Sequence, residues 1–355
     1  MTGYPRLEIR RSKLAENYRR VLARCHRAGI CVAGVIKGFN AIEECVLVAD
    51  EAGCEFLASS RIDHLAQAAA LQVKTPLMMI RTPMLSEVPD VVRLAGYSLE
   101  SETAVLLALE EEAARQDKIH HVILMSDLGD LREGWWDDDE LLQAALHVEK
   151  ELPHLELSGI GTNLGCYGSI IPTREKLQEL VVEAEMIEAA IGRRLDYISG
   201  GATTSFFRVL EDNMPPRINM LRIGEGIING TSGYDAFDFL ERDVFTATAE
   251  VIEVKEKPSY PVGEIGGDAF GHKQEYHDIG IRRRAIVAMG KGDYAYPEDV
   301  FPCDGRITVI GASSDHTLLD VTEAPEITVG DHLSFLLGYG TLLHASQNMP
   351  HIFRD

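Results

Sequence analysis

The chain has 355 residues, enough for two domains, and its 45% hydrophobic and 25% charged residues suit a globular protein with a large core. A formal net charge of -22 argues against a nucleic-acid partner, although a local site can oppose the global field. No run of eighteen apolar residues and no apolar leader in residues 1–9 is visible, and the six cysteines form no Cys-x-x-Cys, so a reduced cytoplasmic protein with no membrane partner is expected.

The elements follow in chain order. Residues 12–23 read as a helix capped by Ser12, with Leu14, Tyr18 and Leu22 on one face. Residues 31–37, Cys31-Val-Ala-Gly-Val-Ile-Lys37, read as a buried strand that ends in a turn at Gly38-Phe39-Asn40. A lysine at the tip of a buried strand either snorkels to solvent or has a task. There it loses hydration, its pKa falls, and it becomes a nucleophile toward carbonyls.

Helix and strand then alternate. Helices are expected over 41–52, 61–71, 88–94, 102–116, 139–152 and 174–191. Strands are expected over 55–59, 75–80, 97–99, 122–125, 155–160, 196–199 and 219–223. Pro89 sits in a first helical turn, where it is tolerated. Counting 31–37, this makes eight strands, which fits a closed (β/α)8 barrel over residues 10–236, of the TIM type. A doubly wound open sheet is the alternative, weakened because no Gly-x-Gly-x-x-Gly follows an early strand. After residue 236 the texture changes to alternating or β-branched runs at 244–254, 284–288, 306–310, 316–321 and 332–337, divided by Pro/Gly turns. Residues 237–355, with 1–9, are therefore expected to form an all-β domain.

In a barrel the chemistry lies at the C-terminal strand ends. Those ends carry Lys37, then Asp127-Leu-Gly129-Asp-Leu-Arg132-Glu-Gly134, Gly161-Thr-Asn163-Leu-Gly165, Ser199-Gly-Gly-Ala-Thr203-Thr-Ser205 and Leu221-Arg222-Ile-Gly224-Glu-Gly226. The last two loops are rich in glycine and hydroxyls, the composition that cradles a phosphate; glycines could also simply make tight turns. A strand-end lysine opposite a phosphate cradle suits an aldehyde cofactor carrying a phosphate, and pyridoxal phosphate fits that description. His120-His121 and Glu275-Tyr276-His277 lack metal-ligand spacing, so no metal is expected.

The order of these motifs resembles the alanine-racemase-type (fold-type III) pyridoxal-phosphate enzymes. Val35-Ile-Lys37-Gly-Phe-Asn40-Ala is similar to their cofactor-lysine segment, and Leu221-Arg222-Ile-Gly224 to their Arg-x-Gly segment. Met125-Ser-Asp-Leu-Gly-Asp-Leu-Arg132-Glu-Gly134, preceded by Arg81-Thr-Pro-Met-Leu-Ser-Glu-Val88, resembles the ornithine-racemase branch. The resemblance implies an isomerase, a cytoplasmic homodimer that racemises an amino acid, with ornithine first and lysine or alanine next. It implies Lys37 as the Schiff-base lysine and Arg222 on the pyridine nitrogen. Thr203, Gly224, Glu225 and Ser199 would be at the phosphate, Asn163 beside the ring, and Arg132 on the substrate carboxylate.

An arginine keeps its proton, so the pyridine nitrogen would stay unprotonated, which weakens the electron sink and favours reversible proton exchange. Decarboxylases of the same fold resemble one another in an acidic residue at this place, and a decarboxylase is the alternative; a non-catalytic cofactor carrier is the other. Racemisation needs an acid/base group on each face of the α-carbon. The family's second-face tyrosine is replaced by Phe270, leaving Asp268 as the candidate, either for that face or as the partner of a substrate ammonium, with His272 nearby. Met125 replaces the family's carbamylated lysine, and Asp315 matches a site residue of the β domain.

Overall fold

The computed structural model describes residues 3–233, 235–267, 271 and 275–355. Two compact units emerge, Leu14–Leu240 and the stretch through Lys13 together with Glu241–Asp355. Among the described residues no helix is long and apolar enough to cross a membrane.

The chain opens with β1 (Arg6–Arg10) and α1 (Arg11–Arg27). There follow β2 (Cys31–Val35), α2 (Glu43–Glu51), β3 (Phe56–Ser59), α3 (Ile62–Ala70), β4 (Leu77–Met79), α4 (Val88–Leu94), β5 (Tyr97–Glu100) and α5 (Thr103–Arg115). Next come β6 (His120–Met125), α6 (Asp138–Glu151), β7 (Leu155–Gly161), α7 (Arg174–Ile191), β8 (Tyr197–Ser199), α8 (Phe206–Leu210), β9 (Met220–Ile223) and α9 (Glu225–Ile228). Strands β2 to β9 pair in parallel and in sequence, and β9 returns to β2 with Ala33 opposite Arg222. The sheet therefore closes into a barrel, which removes the open-sheet alternative.

Alternate residues of each strand face the barrel axis. At the strand starts, Phe56, Tyr97 and Tyr197 meet edge to face at 4.8, 5.6 and 6.0 Å, and His121 stacks on Tyr97 at 4.4 Å. Above this aromatic floor lie Ala33, Ala58, Met78, Leu99, Ile123 and Met220, then Val35 and Met125. The N-terminal end of the barrel is plugged with side chains, so the open end is the C-terminal one.

Two local readings are corrected. Ser12 does not cap α1, which begins one residue earlier; its hydroxyl instead donates to the Asp355 carboxylate. Strand β2 stops at Val35, not at Lys37. Ile36 is already helical, and Lys37 opens a 3-10 turn that runs to Phe39. Asn40 and Ala41, both at positive φ (48° and 51°), reverse the chain there. Their N–H groups donate to Lys37 O (3.0 Å) and Ile36 O (3.1 Å), and the buried Phe39 ring anchors the turn. Left-handed backbone at Ala41 costs on the order of 1 kcal/mol, a strain typical of functional turns.

After the short ribbon β10 (Thr231–Ser232) and β11 (Asp235–Ala236), the second unit is built on β12 (Phe245–Pro258) and β13 (Ile281–Val287). It continues with α10 (Lys291–Tyr294), β14 (Val300–Pro302), β15 (Thr308–Ala312), β16 (Thr317–Asp320), β17 (His332–Leu337), α11 (Tyr339–Asn348) and β18 (His351–Arg354). The sheet order is β14-β17-β12-β13-β16-β15, all antiparallel. The first strand of the chain joins it: β1 pairs antiparallel with β12 and in parallel with β18. Glu8 fixes this edge by accepting from Arg6 Nη2 (2.6 Å) and Arg354 Nη2 (2.9 Å).

Candidate active site

The described residues singled out from sequence, apart from Asp315, lie in the barrel unit, at or just beyond strand ends. Arg222, on β9, shares the inward face with Met220 and is 4% exposed. Its Nη1 donates to Ser199 Oγ (2.5 Å) and its Nη2 to Thr162 O (2.9 Å) and Asn163 Oδ1 (3.4 Å). All three acceptors are neutral. Burial pulls its pKa down to about 10, with the Glu133 charge opposing, so the guanidinium keeps its proton at neutral pH. Ser199, expected at a phosphate, thus directs its oxygen to Arg222.

Asn163 stands between two arginines. In one orientation its amide oxygen accepts from Arg222; turned over, it accepts from Arg132 Nη2 (2.6 Å), with Nη1 and Nε at 3.2 Å. The second orientation satisfies the amide more fully. Beside it, the Thr162 hydroxyl is buried and lacks a hydrogen-bond partner. A buried hydroxyl without a partner calls for one.

Lys37 lies half-buried at its turn. Burial lowers its pKa below the ordinary lysine range, and the charge of Arg132 adds to this; Cys166 and Glu133 pull the other way and Arg222 lowers it further. Lys37, Arg132, Glu133, Cys166 and Arg222 thus share one electrostatic environment.

Arg132 sits on the loop after β6, and that loop is tightly built. Ser126 bridges to Trp135, closing it at the base. Asp127 Oδ1 accepts from Gly129 N (2.9 Å) and Leu131 N (3.0 Å), an Asx turn. Gly134 has φ +137° and packs so closely that a Cβ would lie 2.5 Å from Asp127 N. Asp130, 1% exposed, accepts four backbone N–H groups from the loop after β7. Its Oδ1 takes those of Gly165 (3.0 Å) and Ile170 (3.2 Å), and its Oδ2 those of Cys166 (3.2 Å) and Tyr167 (2.9 Å). Burial pushes this carboxyl up, but the N–H groups of Tyr167, Ile170, Gly165 and Cys166 outweigh it and hold it below the ordinary range. Asp130 therefore locks the Arg132 loop to the Asn163 loop.

The two Gly-rich loops meet across β8 and β9. Thr203 opens a 3-10 turn (Thr203–Ser205), and its Oγ1 accepts from Gly226 N (3.3 Å). A Cβ on Gly226 would lie 3.0 Å from Thr203 Cγ2, tighter than an ordinary contact, so a side chain there would push the two loops apart by a few tenths of an ångström. Gly224 precedes α9. The Glu225 carboxylate is turned away, accepting from Thr231 Oγ1 (3.0 Å) and Gly233 N (2.7 Å), which leaves its backbone as the part that faces any ligand of this turn.

Asp268, Phe270 and His272 lie outside the described residues. Met125 ends β6 inside the barrel core, and Asp315, in the turn between β15 and β16, accepts from Ser314 Oγ (2.8 Å). Sequence reading missed Asp130, Glu133, Thr162 and Cys166. Asp130 and Glu133 lie within the segment that flagged Arg132, but their partners are set by the folded loops.

Comparison with known proteins shows the family. The family profile described as the N-terminal domain of alanine racemase matches residues 9–231. The chain is 38% identical over 343 residues to the ornithine racemase of Acetoanaerobium sticklandii, covering 96% of each. It is equally 38% identical over 344 residues to the lysine racemase of Thermotoga maritima, again with 96% of each covered. Among solved structures, an alanine racemase of Clostridium difficile superposes with a TM-score of 0.75 at 17% identity, covering 100% of this chain and 96% of that one. A D-threonine aldolase of Filomicrobium marinum gives 0.74 at 13%, covering 98% and 90%, so the fold alone does not fix the reaction. By the profile match and the two near full-length relatives, the chain belongs to the alanine racemase family.

Proposed function

We propose that the protein is a pyridoxal-phosphate-dependent amino-acid racemase acting on an α,ω-diamino acid, ornithine first and lysine next. The single observation that carries this is the buried guanidinium of Arg222, hydrogen-bonded to neutral oxygens only, on the strand that pairs with β2, beyond whose end the half-buried amine of Lys37 lies. The residues fit the cofactor. The Thr162 hydroxyl is buried without a partner on the residue whose carbonyl accepts from Arg222, and a Cβ on Gly226 would lie only 3.0 Å from Thr203 Cγ2.

Pyridoxal phosphate, when bound, supplies an electron sink for the α-carbon of an amino acid. Arg222 would donate to its ring nitrogen without yielding a proton, which keeps the sink weak and supports proton exchange over decarboxylation. Ser199 braces that guanidinium. Thr203 and the backbone N–H groups of Gly224 and Glu225 would hold the phosphate, and Asn163 would lie beside the ring. Arg132 would hold the substrate carboxylate with its planar fork. Lys37 Nζ would take or return the α-proton on one face, which its lowered pKa favours. Asp268 is the proposed group for the other face.

Purified protein supplied with pyridoxal phosphate should absorb in the visible, and borohydride should fix the added mass on the peptide containing Lys37. Lys37→Ala should abolish both. Ornithine in deuterium oxide should lose its α-proton and its optical rotation together. A protein that takes up no cofactor, or that exchanges no α-proton of ornithine, lysine, alanine or arginine, would refute the reading.

A homodimer is the matching assembly. The Arg132 and Asn163 loops expose Leu131, Trp136, Tyr167 and Ile171, apolar surface that a second copy would cover. Sedimentation equilibrium reads this directly, and a monomer at all concentrations would remove it. The six free thiols support a cytoplasmic setting.

A further inference from the structure

Three cationic side chains, Lys37, Arg132 and Arg222, gather at the barrel mouth, and one carboxylate, Glu133, acts on both Lys37 and Arg222. Glu133 is held by Arg132 fork to fork: Nη2 donates to Oε1 and Nε lies against Oε2. Both side chains keep partial access to solvent, 37% for Arg132 and 23% for Glu133. Arg132 is thus filled by a carboxylate of the chain itself, in the bidentate arrangement that a substrate carboxylate would need. A substrate that takes this fork must release Glu133.

Release has a consequence that depends on the substrate. A freed carboxylate in a half-buried site is costly unless it finds another cation. An amino acid with an apolar side chain brings none. A diamino acid brings an ω-ammonium. We infer that Glu133 is the specificity-determining residue, exchanging Arg132 for the substrate's ω-ammonium when the substrate carboxylate takes Arg132. Two ion pairs then replace one, with no charge left unpaired. The inference rests on the racemase reading above and deepens it.

The test compares ornithine and lysine with norvaline and norleucine, which keep the same carbon skeletons without the ω-amine. The readout is kcat/KM for α-deuterium exchange by the cofactor-loaded enzyme, with visible absorbance as the check that the Lys37 site is intact. For the wild type, ornithine and lysine should exceed their apolar counterparts. Glu133→Gln should lower kcat/KM for ornithine and lysine about 10- to 100-fold and leave norvaline and norleucine unchanged or improved, because a neutral amide competes less for Arg132. Equal losses in both series would mean that Glu133 only braces Arg132 and would overturn the inference, as would no loss at all. Glu133→Asp, one methylene shorter, should move the lysine-to-ornithine ratio toward lysine, and an unmoved ratio counts against the inference even if the Gln variant does not fold. A wild type that processes norvaline as well as ornithine sinks the inference while the racemase reading stands. A wild type that exchanges no α-proton sinks both.

Discussion

Arg222 and Glu100 are both fully buried ionisable groups, and they resolve burial in opposite ways. Arg222 keeps its charge because the Ser199 hydroxyl and the Thr162 carbonyl offer it oxygens. Glu100, at the end of β5, accepts from the Ser98 hydroxyl through Oε1, while Oε2 has no partner. Burial drives its pKa up to about 8, so it is neutral where most carboxyls are charged. Ser98 also meets His120 Nε2 (2.9 Å), a ring that burial holds neutral by lowering its pKa to about 3. For Glu100 the folded protein retains a proton that the unfolded chain releases above its ordinary range. Its contribution is therefore complete below pH ~4.5 and is lost as pH rises through 8. Glu100→Gln carries no such proton. The difference in unfolding free energy between wild type and variant should shift in the variant's favour by on the order of 2–4 kcal/mol between pH 4.5 and 8. Glu183, raised to about 7 by burial, is present in both proteins and cancels in the difference. Denaturant unfolding at several pH values measures it, and parallel curves would show that Glu100 titrates normally.

At the scale of elements, the barrel and its strand ends were legible because eight apolar runs alternate with amphipathic helices, a periodicity that backbone geometry imposes. Lys37 stood out because a charge ends an apolar run, and Arg222 because its Arg-x-Gly, at the end of the last barrel strand, resembles the family's segment. Strands β14 and β18 were missed because three or four residues carry too little pattern. The clamp of Asp130 was not legible for a different reason. Its partners are backbone N–H groups 35 to 40 residues downstream, and a backbone N–H leaves no mark in sequence. The bond from Arg222 to Ser199 was not legible for a related reason: a strand-end hydroxyl reads alike whether it meets a phosphate or an arginine. Asp130→Asn tests the clamp. The amide turns a donor toward N–H groups that need acceptors, at a cost of about 1–3 kcal/mol. Arg132 should lose its fixed position, so kcat/KM should drop about 10- to 100-fold while the visible absorbance of the Lys37 site persists. Amide hydrogen exchange at Gly165, Cys166, Tyr167 and Ile170 should accelerate. Protection equal to wild type would show that the four bonds do not hold the loops.

At the scale of the whole molecule, a net charge of -22 surrounds a mouth that contains three cations and the Glu133 carboxylate. The local cations suit an α-carboxylate and the global field suits a cation, and an α,ω-diamino acid satisfies both. Ornithine and lysine carry one net positive charge at neutral pH, whereas norvaline carries none. Long-range attraction is screened once the Debye length falls to about 10 Å at 0.1 M salt, but contact pairs inside the site are screened far less. Raising ionic strength from about 0.02 to 0.3 M should therefore lower kcat/KM for ornithine by roughly 2- to 5-fold and barely move it for norvaline. The two substrates differ only in the ω-amine, so a salt effect on folding, on cofactor retention or on Arg132 would act on both and drop out of their ratio. If the ratio stays constant across this range, the acidic surface serves solubility alone, and discrimination lies wholly within the contact shell of the site.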